Sequence, residues 1–303
     1  MKRKTVNVIA LTLMLVLTLG MIYVGAENKS AAPIAENLEL MTYRNISVGG
    51  QLKATDPDGD ILRFEITTAP SKGDIVLKDN GCFVYTPASG KRGRDYFGYK
   101  AVDNNGNMSS EATVIIKIEK QKTKIAYSDM GGNGAYCSAI ALAEKNIFVG
   151  ECLGGQYVFN PNQPVTRGEF LTMCLKLTDS DILSGVITTG FADDSEIPSY
   201  QKPYVSTALL TGVINGYSDG VNTAVFNGES YISYPEAAVM LNKALSLTDV
   251  NTSNYNNAAP VWAAQACANL SACRISEYSH ENELTRADCA KLLYNAMSVL
   301  ESR

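Results

Sequence analysis

Histidine occurs once in the 303-residue chain, as His280, and tryptophan once, as Trp262. One imidazole cannot build a multi-histidine zinc centre, and it leaves a single base for any serine or cysteine triad. His280 sits in the polar stretch Tyr278-Ser-His-Glu-Asn282, with no nucleophile patterned beside it. Positive charge is also scarce: 26 Lys and Arg stand against 31 Asp and Glu. Neutralising phosphates needs a basic face, so nucleic acid is not an expected partner. The seven cysteines form no CxxC pair. Gly131-Gly-Asn-Gly134 is a flexible turn, because no Gly-Lys-Ser/Thr follows it as in a phosphate loop. Asp193 and Asp194 are adjacent in a turn-like stretch, without the setting of a glycosidase acid pair. The chain therefore reads as a non-enzyme.

Long hydrophobic runs are confined to one place. Lys2, Arg3 and Lys4 precede a largely apolar Val6–Val24, and Val24-Gly25-Ala26 offers small residues for cleavage. This is the layout of a secretory signal peptide over residues 1–26. No other run approaches membrane length, so no membrane span is expected after cleavage. Residues 1–26 hold three basic and no acidic residues, which leaves 23 basic against 31 acidic in the mature chain. Cys174, Cys267 and Cys289 fall in apolar helical patterns, where a thiol packs as a small hydrophobe, so buried free thiols are favoured over a disulfide frame.

Residues 27–122 alternate short β-rich runs with turn clusters. Leu62–Ile66, Ile75–Leu77, Cys82–Tyr85, Tyr96–Val102 and Thr113–Ile118 predict strands, with two more near 37–42 and 48–54. Asp56-Pro-Asp-Gly-Asp60, Asp79-Asn-Gly81 and Asp103-Asn-Asn-Gly-Asn107 predict the turns between them. About seven strands at this spacing predict an immunoglobulin-like sandwich. The wording Ala54-Thr-Asp-Pro-Asp-Gly-Asp-Ile-Leu-Arg-Phe64, Gly81-Cys-Phe-Val-Tyr-Thr-Pro87 and Gly93-Arg-Asp-Tyr-Phe-Gly-Tyr99 resembles the bacterial cadherin-like repeat. In such a sandwich the two acidic turns share a pole. Asp56, Asp58 and Asp60 would then meet Asp103 and Asn105, a set of oxygen ligands suited to calcium. Asp, Asn and Gly equally make good turns without a metal.

From about residue 123 the period turns helical, and three segments align. Their first helices carry Ala139-Ile-Ala-Leu-Ala143, Ala208-Leu-Leu210 and Ala266-Cys-Ala-Asn-Leu270. Gly150 and Gly216 share an offset behind the first two, where a glycine suits a helix end or the tight turn beyond it. The second helices begin at Thr166-Arg-Gly-Glu169, Ser233-Tyr-Pro-Glu236 and Thr285-Arg-Ala-Asp288, each with the hydroxyl-to-acid spacing of a capping box. Together with Ser128-Asp129, Phe191-Ala-Asp193, Phe159-Asn-Pro161 and Pro203–Leu209, these segments resemble three copies of the S-layer homology domain.

That resemblance implies a pseudo-threefold helical spindle over 123–303, with repeats at about 123–182, 188–248 and 254–300. It also implies grooves that bind a pyruvylated secondary polysaccharide of a Gram-positive-type cell wall, without chemistry. Carried over position by position, the groove residues are Asp129, Gly150 and Arg167, then Asp193, Tyr200 and Gly216, then Trp262 and Arg286. Gly134 stands where the first repeat should hold an aromatic, Tyr234 where the second should hold an arginine, and Tyr278 where the third should hold a glycine. No repeat holds the full set, so a groove would have to be composite. An arginine offers a planar donor fork to a ketal carboxylate. The sequence thus describes an exported, wall-anchored protein that displays a β-sandwich. A calcium-dependent adhesin with a surface protein or glycan partner is the alternative, as is a subunit of a surface lattice.

Overall fold

In the computed structural model the described residues are 31–218, 224–255, 259–276 and 283–301. Residues 1–26, expected to be an export signal, and Tyr278 and His280 lie outside them.

The first part is a β-sandwich. One sheet has the order β2-β9-β8-β5, formed by Leu38–Tyr43, Ala112–Glu119, Gly93–Val102 and Arg63–Thr68. The facing sheet has the order β3-β7-β6, formed by Val48–Gln51, Cys82–Pro87 and Gly73–Leu77. β2 runs parallel to β9, and the other pairings are antiparallel. Alternation drives this arrangement. Along β9, Val114, Ile116 and Ile118 point inward and are buried, while the residues between them are more accessible. Phe83 and Phe97 meet edge to face across the two sheets, 5.2 Å between ring centres.

The stretch 48–54, expected as one strand, is two. After β3, Leu52 turns into the core and its N–H donates to Gly81 O. The chain then leaves that sheet and β4 (Ala54–Thr55) pairs with β1 (Ile34–Ala35) instead. Tyr99 fixes this corner, its hydroxyl donating to Glu36 O and Lys53 O.

Six helices follow in three chain-order pairs, α1 (Tyr136–Glu144) then α2 (Arg167–Leu177), α3 (Lys202–Leu210) then α4 (Tyr234–Ala244), and α5 (Ala264–Ala272) then α6 (Arg286–Glu301), and the second helix of each pair packs on the first helix of the next: α2 on α3, α4 on α5 and α6 on α1. Two short ribbons, β10–β11 (Glu151–Leu153, Gln156–Val158) and β12–β13 (Tyr217–Ser218, Ala224–Val225), add strand to a part that the sequence predicts as helix alone. The capping boxes form as predicted. Thr166 and Glu169 bond reciprocally, Ser233 N–H and Oγ donate to Glu236, and Thr285 pairs with Asp288. Left-handed residues stop the helices at matching offsets: Asn146, Gly212 and Arg274 after the first helices, Asp179 and Ser246 after the second.

The segments just ahead of the second helices close a ring of backbone hydrogen bonds. Val165 N–H donates to Leu284 O, Leu284 N–H to Ile232 O, and Ile232 N–H to Val165 O, at 2.9–3.0 Å. All three residues are buried, so the ring lies at the centre of the helical part. One hydrophobic core runs through sandwich and helices alike. At the junction Gly49 N–H donates to Gly134 O and Ser47 Oγ to Asn133 O, both at 2.8 Å. Cys137 N–H, in the open first turn of α1, finds Ser47 O at 3.2 Å. Further along, the Tyr43 hydroxyl reaches Glu144 at 3.0 Å. Among the described residues no helix is long and apolar enough to cross a membrane.

Candidate functional site

The ring of caps sends each second helix's first residue into its neighbour's territory. Arg167, at the start of α2, leaves its own pair and enters the loop between α3 and α4. Its Nε donates to Phe226 O at 3.0 Å, and Nη1 lies 3.4 Å from Glu236 Oε1. The guanidinium stacks 4.4 Å over the Tyr217 ring, and the side chain is only 7% exposed. Arg286 repeats this one step round. From α6 it enters the loop of the first pair, where Nη1 donates to Glu151 at 2.8 Å and to Phe159 O at 3.1 Å. Its guanidinium lies 5.2 Å over Phe148, and it is 8% exposed. Each arginine is therefore a cation held across a seam between two helix pairs.

The carboxylates beside them are held ionised. Arg286 keeps Glu151 below the usual glutamate range, chiefly through its hydrogen bond and charge. Burial alone would raise Glu236, but the Tyr217 hydroxyl, the Ser233 donors and Arg167 outweigh it and lower its pKa.

Asp129 and Asp193 turn out to shape the loops. Asp129 accepts from Phe159 N–H and Asn160 N–H, and Asp193 from Phe226 N–H and Asn227 N–H. Asn160 and Asn227 both take left-handed backbone, which needs such a clamp. Asp194, the other half of the acid pair, is occupied separately: Lys202 at 2.6 Å and Thr189 hold its pKa down to about 2. Gly150 and Gly216 also serve the loops. Both have positive φ, and a Cβ would come 2.6 Å from Val158 O at Gly150 and 2.5 Å from Phe191 at Gly216. Close approach here is between the chain and itself, where the resemblance implies approach of a ligand.

Tyr200 and Trp262, at the two aromatic positions, are 66% and 61% exposed. Gly134, the third, packs beneath the sandwich at Gly49. Sequence reasoning does not single out Phe148, Tyr217, Glu151 or Glu236 as seam residues. The signal is present all the same, since an aromatic and an acid flank the two aligned glycines or head the aligned helix.

At the acidic pole of the sandwich, Asp56, Asp60 and Asp103 bring one carboxylate oxygen each to within 4.8 Å of one another. Asp56 Oδ1 accepts from Asp58 N–H and Asp60 N–H, whereas its buried Oδ2 has no partner among the described residues. Asn105 Nδ2 donates to Asp60 at 3.0 Å. Asp58 stands apart from the trio, and its carboxylate accepts from Ala31 N–H at 2.6 Å. All seven thiols are free. Cys137, Cys174, Cys267 and Cys289 are buried and Cys152 is exposed. Burial pushes the four buried thiols up, to about 12 at Cys137 and about 11 at Cys267.

The family model of the bacterial cadherin-like domain matches residues 30–120, and that of the S-layer homology domain matches residues 126–171. Cell surface glycoprotein 1 of Acetivibrio thermocellus is 28% identical over 133 residues, which is 41% of this chain and 5% of that protein. The chain thus spans a small fraction of that relative. Among solved structures, an adhesin of Streptococcus sanguinis, SrpA in a mutant form, is similar at 17% identity and a TM-score of 0.26, over 33% of this chain and 64% of that one. An endo-fucoidan hydrolase of glycoside hydrolase family 107 is similar at 18% identity and a TM-score of 0.25, over 32% of this chain and 14% of that one. Overlays this loose establish neither fold nor function. Neither matched domain is a catalytic one. One chain thus carries, in order, a match to the bacterial cadherin-like domain and a match to the S-layer homology domain.

Proposed function

We propose that the protein is exported, held non-covalently on a Gram-positive-type cell wall by its helical part, and displays the sandwich outward. The helical part is read as a pseudo-threefold spindle of three S-layer homology repeats. Its ligand is a pyruvylated secondary wall polysaccharide. The observation that carries this reading is the pair of cross-seam arginines, Arg167 and Arg286, each stacked on an aromatic ring and lodged in the neighbouring helix pair. A buried guanidinium of this kind suits a carboxylate that arrives on a rigid sugar. The ring of backbone hydrogen bonds through Val165, Ile232 and Leu284 supports three-fold construction beyond the single matched repeat. The mature protein is expected to co-sediment with walls that retain their polymer and to stay in the supernatant with stripped walls. Equal sedimentation with both would refute the anchor.

A second reading concerns calcium. Asp56, Asp60 and Asp103 supply hard oxygen ligands on turns, and the buried, unpartnered Asp56 Oδ2 favours a cation between them. Asn105 stands beside them, while Asp58 holds Ala31 N–H with one of its two carboxylate oxygens. Calcium at a hundred times its Kd is expected to stabilise the sandwich by about 2.7 kcal/mol. Asp56→Asn should abolish that gain. A melting temperature indifferent to millimolar calcium would end this reading. A calcium-loaded sandwich would serve an adhesin or a lattice subunit equally, with a surface protein or glycan as partner.

A further inference from the structure

We infer that the cleft between the sandwich and the helices receives the acidic pole of a second copy of this chain, so that copies associate head to tail. This inference is independent of the wall anchor and uses a surface that the anchor leaves open.

The cleft has a volume of about 1360 Å³ and lies where the edge strands β2 and β3 face α1 and α6. Its charge runs against that of the chain. The mature protein carries 23 basic residues against 31 acidic ones. The cleft is lined by six lysines, Lys78, Lys117, Lys120, Lys122, Lys145 and Lys291, against four glutamates. Lys117 pairs with Glu119, and Lys145 with Glu301. Glu144 is taken up by the Tyr43 hydroxyl and by the N–H groups of Lys122 and Thr123. The other four lysines are exposed and have no ion pair among the described residues. Apolar side chains lie in the same cleft, Met41, Val76, Val84 and Met297 among them. Val76 is 67% exposed, on the sheet face beside Val84. Apolar surface rimmed by polar residues marks an interaction site.

The complementary set stands at the acidic pole. Asp56, Asp58 and Asp60 lie on the turn between β4 and β5, and Asp103 follows β8. Arg63, the nearest cation along the first of these segments, is paired with Glu65. Beside the acids, Ile61 is 79% and Met108 50% exposed. None of these residues lines the cleft, so pole and cleft are separate surfaces of one chain. Acids beside bare apolar side chains on protruding turns match lysines beside apolar side chains in a cleft. The charges steer and orient the encounter, and the apolar contact holds it. Because the two surfaces differ, the contact is heterologous. Each copy offers one pole and one cleft, which builds files or rings and not a two-fold dimer.

Sedimentation equilibrium of the full mature chain, with chelator present throughout, tests this. At about 0.01 M salt, where charges act over about 30 Å, the mean mass should climb with concentration past that of a dimer. At about 1 M, where their range is about 3 Å, it should return to the monomer. Lys120→Ser with Lys122→Ser, and separately Asp58→Ser with Ile61→Ser, replace exposed side chains and should each weaken association about tenfold. An equal mixture of the two variants should form dimers that do not grow, because one intact cleft and one intact pole remain. A wild-type chain that stays monomeric at low salt, a mean mass that levels at the dimer, or association that both variants leave unchanged would each overturn the inference. None of these outcomes bears on the wall anchor or, with chelator present, on calcium.

Discussion

Asp95→Ala is expected to destabilise the sandwich by about 3 kcal/mol, the scale for breaking a buried network and leaving its donors unpaired. Asp95 is buried in β8, yet it is not a defect of the core. Its oxygens accept from the Tyr85 hydroxyl at 2.7 Å, from Ser71 N–H and Oγ at 3.0 Å, and from Lys72 N–H at 2.8 Å. Alanine would strand the fully buried Tyr85 phenol and take the acceptor from two backbone N–H groups at the sandwich rim. Burial pushes the Asp95 pKa up, but these four donors outweigh it and hold it below the ordinary value. The sign follows. A lowered folded-state pKa contributes stability in full above the unfolded value, about 3.9, and loses it as pH falls through the folded one. Denaturant unfolding of wild type and Asp95→Ala should therefore show the full gap at neutral pH and a shrinking gap below about pH 4. A constant gap down to pH 2 would show that the carboxylate's charge contributes nothing.

The second large effect is at the junction. Gly134→Trp restores an aromatic to the one first-helix position that lacks it, but a Cβ alone would already press on the Gly49 backbone. The Gly49 backbone stands where the side chain would leave Gly134, so the substitution presses sandwich and helices apart. Parting them removes the Gly49 to Gly134 hydrogen bond and the cap that Ser47 O gives Cys137 N–H. Overpacking of this order costs about 1–3 kcal/mol where the surroundings cannot yield. Here they yield by undocking. Calorimetry should resolve two transitions in the variant where wild type shows one, and the 120–126 connection should become sensitive to protease. A single unshifted transition would mean that sandwich and helices are not coupled through this contact.

Much of the architecture was legible because it depends on local pattern. Alternating residues in Thr113–Ile118 and the capping-box spacings at Thr166, Ser233 and Thr285 each name an element and its register without reference to the rest. What stayed hidden depends on contacts between distant segments. Gly134 reads as a lost aromatic, and only the Gly49 backbone lying on it explains the loss. Asp129 and Asp193 read as groove acids because they recur, but recurrence arises equally from a clamp that every repeat needs around Phe159 or Phe226. Asp58 reads as an equal member of an acidic turn. Its bond to Ala31 depends on where the chain enters the sandwich, which the turn itself does not encode. The split of 48–54 into two strands likewise follows from Leu52 seeking the core.

On the proposed reading, the protein holds the wall through a carboxylate caught by a local arginine, against the field of an acidic chain. Binding of the mature protein to purified wall polymer, measured with the pyruvyl group in place and after its mild acid removal, tests it most directly. The account predicts saturable binding to the intact polymer and loss of at least 100-fold in affinity once the group is gone. Equal affinity for both polymers would contradict it.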